Sequence, residues 1–393
     1  MGIDEFPAKV LAKSLALILL IALSLTQRLA IPATVSAQVP RTEYASLLLA
    51  PPETTGGKIL FLDCQAILTH SAADWEQFSI AGEHYLAVAN ASDGSSFATD
   101  SVVYKWDNGH FIEYQLIPTI GIHDWEAFLI GDDYFLAGAS TYSANQWDWD
   151  VDSRLYRRDG TRFKDYQAIP THGARDWEYF IIGDDHYLVV ANQRTRTTFN
   201  VSSVLYKWSG TRFEEYQVFA THAAAHWRLF SNGTDYFLLL AQRESDSSRN
   251  TPAKFFRWDG TRFVEDTQVC SANYIYDAES FSVGSDHFLA LNNYFKNSPT
   301  PVNLQIMTWD GTHYSELQTI PTTSPLTHWK FFTVGADSYL ALAQHNTPDL
   351  KIYRWDGTMF VEHQTIPTLG AMDSESFNIA GSVYLAVANA RDG

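Results

Sequence analysis

Cysteine is almost missing from this chain: Cys64 and Cys270 are the two in 393 residues. At most one intramolecular bridge is available, so no disulfide framework holds the fold. Positive charge is also short, with 27 basic residues against 45 acidic and a formal net charge of −18. Such a field repels phosphate backbones and anionic lipid, which argues against nucleic acid and membrane surfaces and favours cations or basic proteins as partners. No nucleophile elbow, phosphate-cradling loop or clustered metal-binding motif occurs, which weighs against catalysis. Apolar runs of membrane-spanning length are missing too. The longest, Leu15 to Leu25 with Ser24 inside it, stops at Gln27 and Arg28, short of the ~20 residues a span needs. Lys9 and Lys13 precede that run and Val35-Ser36-Ala37 follows it, the order of a secretory signal peptide cleaved after Ala37. An uncleaved anchor is the competing reading. The expectation is a leader over 1–37, a short tail over 38–42 and a secreted domain over 43–393, with no membrane insertion after cleavage.

What the sequence has in abundance is aromatic residues, 12 Trp, 20 Tyr and 24 Phe, which favour strands. They recur in a Trp-centred unit: Asp74-Trp75-Glu76, Asp124-Trp125-Glu126, Asp176-Trp177-Glu178, His226-Trp227-Arg228, Asp277-Ala278-Glu279, His328-Trp329-Lys330 and Asp373-Ser374-Glu375. The central positions lie 50, 52, 50, 51, 51 and 45 residues apart. Each copy continues through a Gly turn, a second apolar strand, a variable polar loop, a third strand such as Tyr104-Lys105-Trp106, an Asp-Gly or Ser-Gly turn and a fourth strand such as Phe111 to Gln115. Four short strands with hairpin turns, repeated seven times, predict an all-β seven-bladed propeller of four-stranded antiparallel blades. The last copy has only two strands, while Glu43–Ala50 and Ile59–Ile67 near the other end supply two. Residues 43–67 are therefore expected to complete the seventh blade, which removes the open sheet edges. Cys64 then lies three blades from Cys270, too far for a bridge.

The run Phe111-x-Glu113-x-Gln115, Ile117-Pro118-Thr119 and Asp124-Trp125-Glu126-x-Phe128, echoed at Ile169-Pro170-Thr171 and Tyr206-Lys207-Trp208, resembles the EPTP or EAR (epilepsy-associated) repeat. The resemblance covers 43–393 and implies a secreted propeller like that of the leucine-rich glioma-inactivated proteins, with protein recognition and no enzymatic activity. No leucine-rich repeat precedes the propeller here, so particular receptors do not carry over.

Three constellations can hold a ligand. Asp74/Glu76, Asp124/Glu126, Asp176/Glu178, Asp277/Glu279 and Asp373/Glu375 sit two apart at strand starts near the channel mouth, where oxygens suit Ca²⁺ or Na⁺. The alternative is that they accept backbone N–H bonds between blades. Their ~6.5–7 Å separation along a strand also fits a glycosidase pair, yet an active site is one asymmetric constellation and this pair occurs five times. Trp147 and Trp149, outside the repeat positions, read as a protein interface anchor or a stacking platform for polysaccharide. The alternative is that one folds over Arg158, which stands where other blades carry Trp. Asp148, Asp150 and Asp152 open like a calcium loop, but Ser153 replaces the expected Gly. Thr69-His70, Thr171-His172 and Thr221-His222 recur at loops leading into the Trp unit, with the imidazole expected on a neighbouring blade's backbone. Sequons fall at Asn90, Asn200 and Asn232. The expected function is non-catalytic recognition of an extracellular protein through the variable-loop face. A lectin-like propeller is the alternative, and a hydrolase using the channel acids comes third.

Overall fold

In the middle of each second strand the side chains are apolar or small, as in Leu86-Ala87-Val88-Ala89, where all four are buried. A strand buried on both faces must be covered on both sides. The computed structural model shows how: Leu86 and Val88 pack toward one neighbouring sheet, Ala87 and Ala89 toward the other. The structure describes residues 45–49, 53–55, 58–144, 148–248, 251–267, 275–293, 302–322, 327–345 and 347–390. They form seven four-stranded antiparallel sheets with seven apolar cores between successive sheets, and no helix occurs among them. Blades one to six span 72–120, 122–172, 174–220, 224–265, 275–322 and 327–367. The turn between first and second strands is tight because a residue such as Gly131, at φ 61°, adopts the left-handed conformation glycine tolerates.

Blade seven is composite, as expected. Ala371–Ile379 and Ser382–Asn389 are joined by Ala45–Leu49 and Asp63–Leu68, with Leu49 opposite Leu385 and Ala45 opposite Leu68. Side-chain bonds copy those of the continuous blades. Ser46 Oγ accepts the Asn389 N–H and meets Thr69 Oγ1 at 3.1 Å, as Ser101 does with Asn90 and Thr119, and Ser203 with Asn192 and Thr221. A register shift at Leu48/Leu49 matches those at Val103/Tyr104, Leu155/Tyr156 and Leu205/Tyr206.

One boundary moves. The fourth strand expected over Ile59–Ile67 is divided: Lys58–Leu60 forms a small hairpin with Glu53–Thr55, and only Asp63–Leu68 joins the blade. The third strand stops at Leu49, ahead of Pro51 and Pro52, which carry no N–H for a ladder. Phe61 keeps its register nonetheless, because Gln364 of blade six grips its backbone on both sides. Phe61 N–H donates to Oε1 (2.9 Å) and Nε2 donates to Phe61 C=O (2.8 Å). The same two-handed clasp joins Gln65 to Phe111, Gln115 to Phe163, Gln167 to Phe213, Gln217 to Phe263 and Gln318 to Phe360.

Cys64 is exposed on the outer strand of blade seven; Cys270 lies outside the described residues. The sequons differ in access. Asn90 is buried, its amide bonded to His70 N–H and Asp100 C=O, which closes it to glycosylation, whereas Asn200 is exposed.

Because Leu49 packs with Phe61, Tyr339 and Leu385, Leu49→Ala is expected to cost about 2–5 kcal/mol of whole-ring stability. Urea denaturation followed by Trp fluorescence measures it. A change under about 0.5 kcal/mol would mean that the N-terminal strand is not part of the seventh core.

Candidate functional site

In an antiparallel blade, the loops joining strands two to three and four to one emerge on one face, and the hairpin turns emerge on the other. The first face carries the length variation, and the innermost strands begin there. The channel acids stand at those beginnings.

All of these acids but Glu375, which pairs with Lys330 of blade six, spend one oxygen on the next blade. Asp74 Oδ2 accepts the Trp125 N–H (3.0 Å), Asp124 that of Trp177 (2.9 Å), Asp176 that of Trp227 (2.8 Å), Asp277 that of Trp329 (3.0 Å) and Asp373 that of Trp75 (3.5 Å). Two residues along, Glu76, Glu126, Glu178 and Glu279 accept from Ala127, Tyr179, Leu229 and Phe331 at 2.8–3.1 Å. The carboxylates thus stitch blade to blade, and the second oxygen of each remains for another partner.

The ring is electrically lopsided. Blades four and six carry His226/Arg228 and His328/Lys330 in place of the acid pair. Arg228 reaches Glu178 at 3.2 Å and Lys330 pairs with Glu375. Blade five is flanked by these cations, so Asp277 is held below its ordinary value: burial pushes it up, but His328, His226, Arg228 and the Trp329 amide outweigh that. The opposite arc, over blades seven, one, two and three, has eight carboxylates and cations only at its two ends. Burial, then the charges of Asp124 and Asp373, push Asp74 well up. Burial and Glu375 raise Glu76 to about 8, and burial with Glu76 and Glu178 raises Glu126. Asp124 rises through burial and Asp176. At the ends, burial is offset by Arg228 for Glu178 and by Lys330 for Glu375, and both stand at about 7. Such an arc either keeps protons at neutral pH or gives oxygen ligands to a hard cation.

The loop constellation takes a form the sequence did not disclose. Trp147 lies outside the described residues. Trp149 is half-buried, and the Arg194 guanidinium of blade three stacks 4.3 Å from its ring centroid and 4.3 Å from that of Phe199. On its other side Tyr142 meets Trp149 edge-on at 6.2 Å and Phe97 of blade one at 4.7 Å. Phe97, Tyr142, Trp149, Arg194 and Phe199 therefore form one half-exposed stripe across the loops of blades one to three. Asp246 of blade four extends it by accepting from Thr198, Phe199 and Asn200 at 2.6–3.1 Å. Close packing supports the stripe: a Cβ on Gly121 would come 2.6 Å from Tyr142 O, and one on Gly173 3.0 Å from the Trp149 ring. Only the pairing of Trp149 with a loop was legible beforehand, because the other members come from three separate loops.

Two expectations need correction. Trp149 does not cover Arg158: it precedes the strand Asp150–Asp159, whereas Arg158 is near that strand's far end. Nor do the imidazoles of His172 and His222 sit on a neighbouring blade's backbone. His172 Nδ1 meets Asp150 Oδ1 (2.6 Å) and His222 Nδ1 meets Asn200 Oδ1 (2.7 Å), both within their own blade, while the neighbour's Asn192 or Gln242 side chain takes the His backbone N–H. The aspartate triplet is not gathered at one point. Asp148 Oδ1 accepts the Asp150 N–H, Asp150 is on His172, and Asp150 and Asp152 line a cleft against Pro118–Ile120 of blade one.

The repeat itself decides the family. An EPTP domain model matches residues 60–107, 110–159, 162–209, 212–259, 315–356 and 359–393; the first five matches run from a fourth strand to the next third strand, and the sixth ends after the second strand of blade seven. The chain belongs to the EPTP family. The matches leave out 260–314, which holds the first three strands of blade five with Ala278 in place of the Trp, yet its sheet forms like the rest. The human thrombospondin-type laminin G domain and EAR repeat-containing protein is 39% identical over 304 residues, covering 74% of this chain, and the Mus musculus protein of that name is 33% identical over the same length. The chain spans 37% of those relatives. Among solved structures, candidate 6-phosphogluconolactonases from Bacteroides uniformis and Bacteroides fragilis share the fold. Their TM-scores are 0.58 and 0.54 at 10% and 12% identity, covering 84% and 83% of this chain and 98% and 96% of theirs. At that identity the likeness extends to the fold alone.

The arc makes stability depend on pH. Carboxyls whose folded values exceed the unfolded one, such as Glu76 at about 8 against 4.5, bind protons more tightly when folded. Their contribution is complete below the unfolded value and is lost as pH rises through the folded one. In cation-free buffer the Tm is expected to fall between about pH 5 and pH 8, and Glu76→Gln is expected to flatten that slope. Parallel pH profiles for the variant and the parent would show the arc to be ionised throughout.

Proposed function

We propose that this propeller is a secreted, non-catalytic recognition module that holds an extracellular protein on its variable-loop face. The observation that carries this reading is the continuous aromatic and arginine stripe from Phe97 to Phe199. Tyr, Trp, Phe and Arg are the residues enriched where interfaces concentrate their binding energy. Exposed Asp93, Asp148, Asp150 and Asp152 lie on the same face, and the chain's net charge is −18, so a partner with a basic rim is complementary. Family membership and the extracellular domain names of the relatives support the same reading, as does the leader-like segment over 1–37. The channel acids favour architecture over catalysis, because recruiting any one pair for proton transfer would loosen a blade junction. A hard cation, Ca²⁺ or Na⁺, held by the arc over blades seven to three is compatible with this role and would rigidify the face. The polysaccharide alternative loses ground at Trp149, since Arg194 already covers one face of the ring a sugar would stack on.

The test presents the chain to a panel of recombinant ectodomains and to a glycan array. Arg194→Ala and Phe97→Ala are each expected to weaken ectodomain binding roughly tenfold or more, while Asp132→Lys on the opposite face leaves it unchanged. Binding confined to glycans, or ectodomain binding indifferent to both stripe variants, would refute the proposal.

A further inference from the structure

Two positions break the acid ring in a particular way. Where five blades place Asp at the start of the first strand, blades four and six place His226 and His328, on either side of Asp277 of blade five. Three adjacent blades thus present two imidazoles and one carboxylate at the same height. One donor atom from each lies within 4.8 Å of the others. The side chains are almost enclosed, at 14%, 17% and 2% exposure for His226, His328 and Asp277.

The donors are prepared as ligands. His226 Nδ1 faces Asp176 Oδ1 at 3.3 Å, so that carboxylate fixes the N–H on Nδ1 and turns the lone pair to Nε2. Nε2 is buried and has no hydrogen-bond partner among the described residues, which leaves its lone pair open to a ligand. His328 Nδ1 stands 3.7 Å from Asp277 Oδ2. The rings of His226 and His328 stand edge to face at 4.8 Å, and Tyr276, whose hydroxyl Arg175 reaches at 3.3 Å, packs against both. The cations beneath, Arg228 and Lys330, are already matched by Glu178 and Glu375.

We propose that His226, Asp277 and His328 bind a borderline divalent metal of the Zn²⁺ class, with Asp176 orienting His226 from behind. Two nitrogens and one oxygen select such an ion over Ca²⁺, which takes six or more oxygens. A tetrahedral ion ~2.0–2.2 Å from its ligands needs donors about 3.3 Å apart, so side-chain movements of order 1 Å close the site. Three protein ligands leave a fourth position at the channel mouth. This site is separate from the all-carboxylate arc and does not depend on what the loop stripe binds.

The full chain is stripped with EDTA, dialysed and titrated with Co²⁺ alone and then with Zn²⁺ alone. One equivalent of Co²⁺ is expected to produce visible d–d absorption, to be displaced by one equivalent of Zn²⁺ and to resist excess Ca²⁺; Zn²⁺ raises the Tm. His226→Gln/His328→Gln abolishes the absorption. Asp277→Asn, which keeps an oxygen for the Trp329 amide, carries the same test should the double variant fold poorly. Asp176→Asn weakens Zn²⁺ about tenfold or more through the lost orientation. No absorption and no Tm change under excess metal, displacement by Ca²⁺, or an equivalent retained in the ligand variants overturns the proposal. Ectodomain binding by the metal-free chain keeps the two readings distinguishable.

Discussion

Everything in this ring depends on side chains of one blade holding the backbone of the next. A four-stranded blade of mostly apolar second and third strands cannot shield its two faces, so each sheet needs a sheet on either side. Apolar packing supplies attraction without fixing height or rotation, because one greasy sheet can slide over another. Direction comes from two sets of bonds at the ends of the interface. Near the axis, Asp and Glu accept the N–H groups of the neighbouring first strand; near the rim, Gln grips both the N–H and the C=O of the neighbouring fourth strand. Buried polar groups that are fully paired impose a unique register at little net cost.

The same logic explains the N-terminal strands. An open propeller would leave one sheet face and one set of clasps unmet. Gln364 therefore reaches across the chain ends to Phe61, and Gln65 continues to Phe111. The ring closes through hydrogen bonds identical in kind to those inside it, which is why a break in the chain within blade seven leaves no break in the pattern. Because the inner clasp uses carboxylates, closure also concentrates negative charge. The fold accepts raised carboxyl values in the arc and places Arg228 and Lys330 at the positions where two more Glu would bring the ring's ten carboxylates to twelve.

The repeat unit, the blade number and the composite closure were all legible in the sequence, because they rest on spacing and strand chemistry that act locally. The clasp by Gln was not. Gln115 and Phe163 are 48 residues apart, and nothing in either neighbourhood marks them as partners; the signal was only that Gln keeps one position in copy after copy. The boundary near Ile59 was misplaced for a related reason. Phe61 and Gln65 repeat the spacing of Phe111 and Gln115, but the chain just before them turns in a hairpin of Glu53–Thr55 with Lys58–Leu60. Trp149 shows the opposite limit. Its departure from the repeat marked it, while its stack on Arg194 joins loops of different blades and has no linear signature.

Departures from the repeat are therefore where this protein's individuality lies. Positions that recur in most blades answer to packing, and their chemistry, however suggestive one pair of acids looks, is already spent on holding a neighbour. Positions that break the pattern are free of that duty. Histidine at 226 and 328 still occupies the inner-strand slot, but imidazole cannot serve as the carboxylate acceptor that Asp provides, and the next strand's amide at Ala278 lacks that clasp in return for Arg228 Nε on its carbonyl. A ring that gives up two of its seven axial clasps, on both sides of one retained Asp, has exchanged stitching for something the stitching could not do.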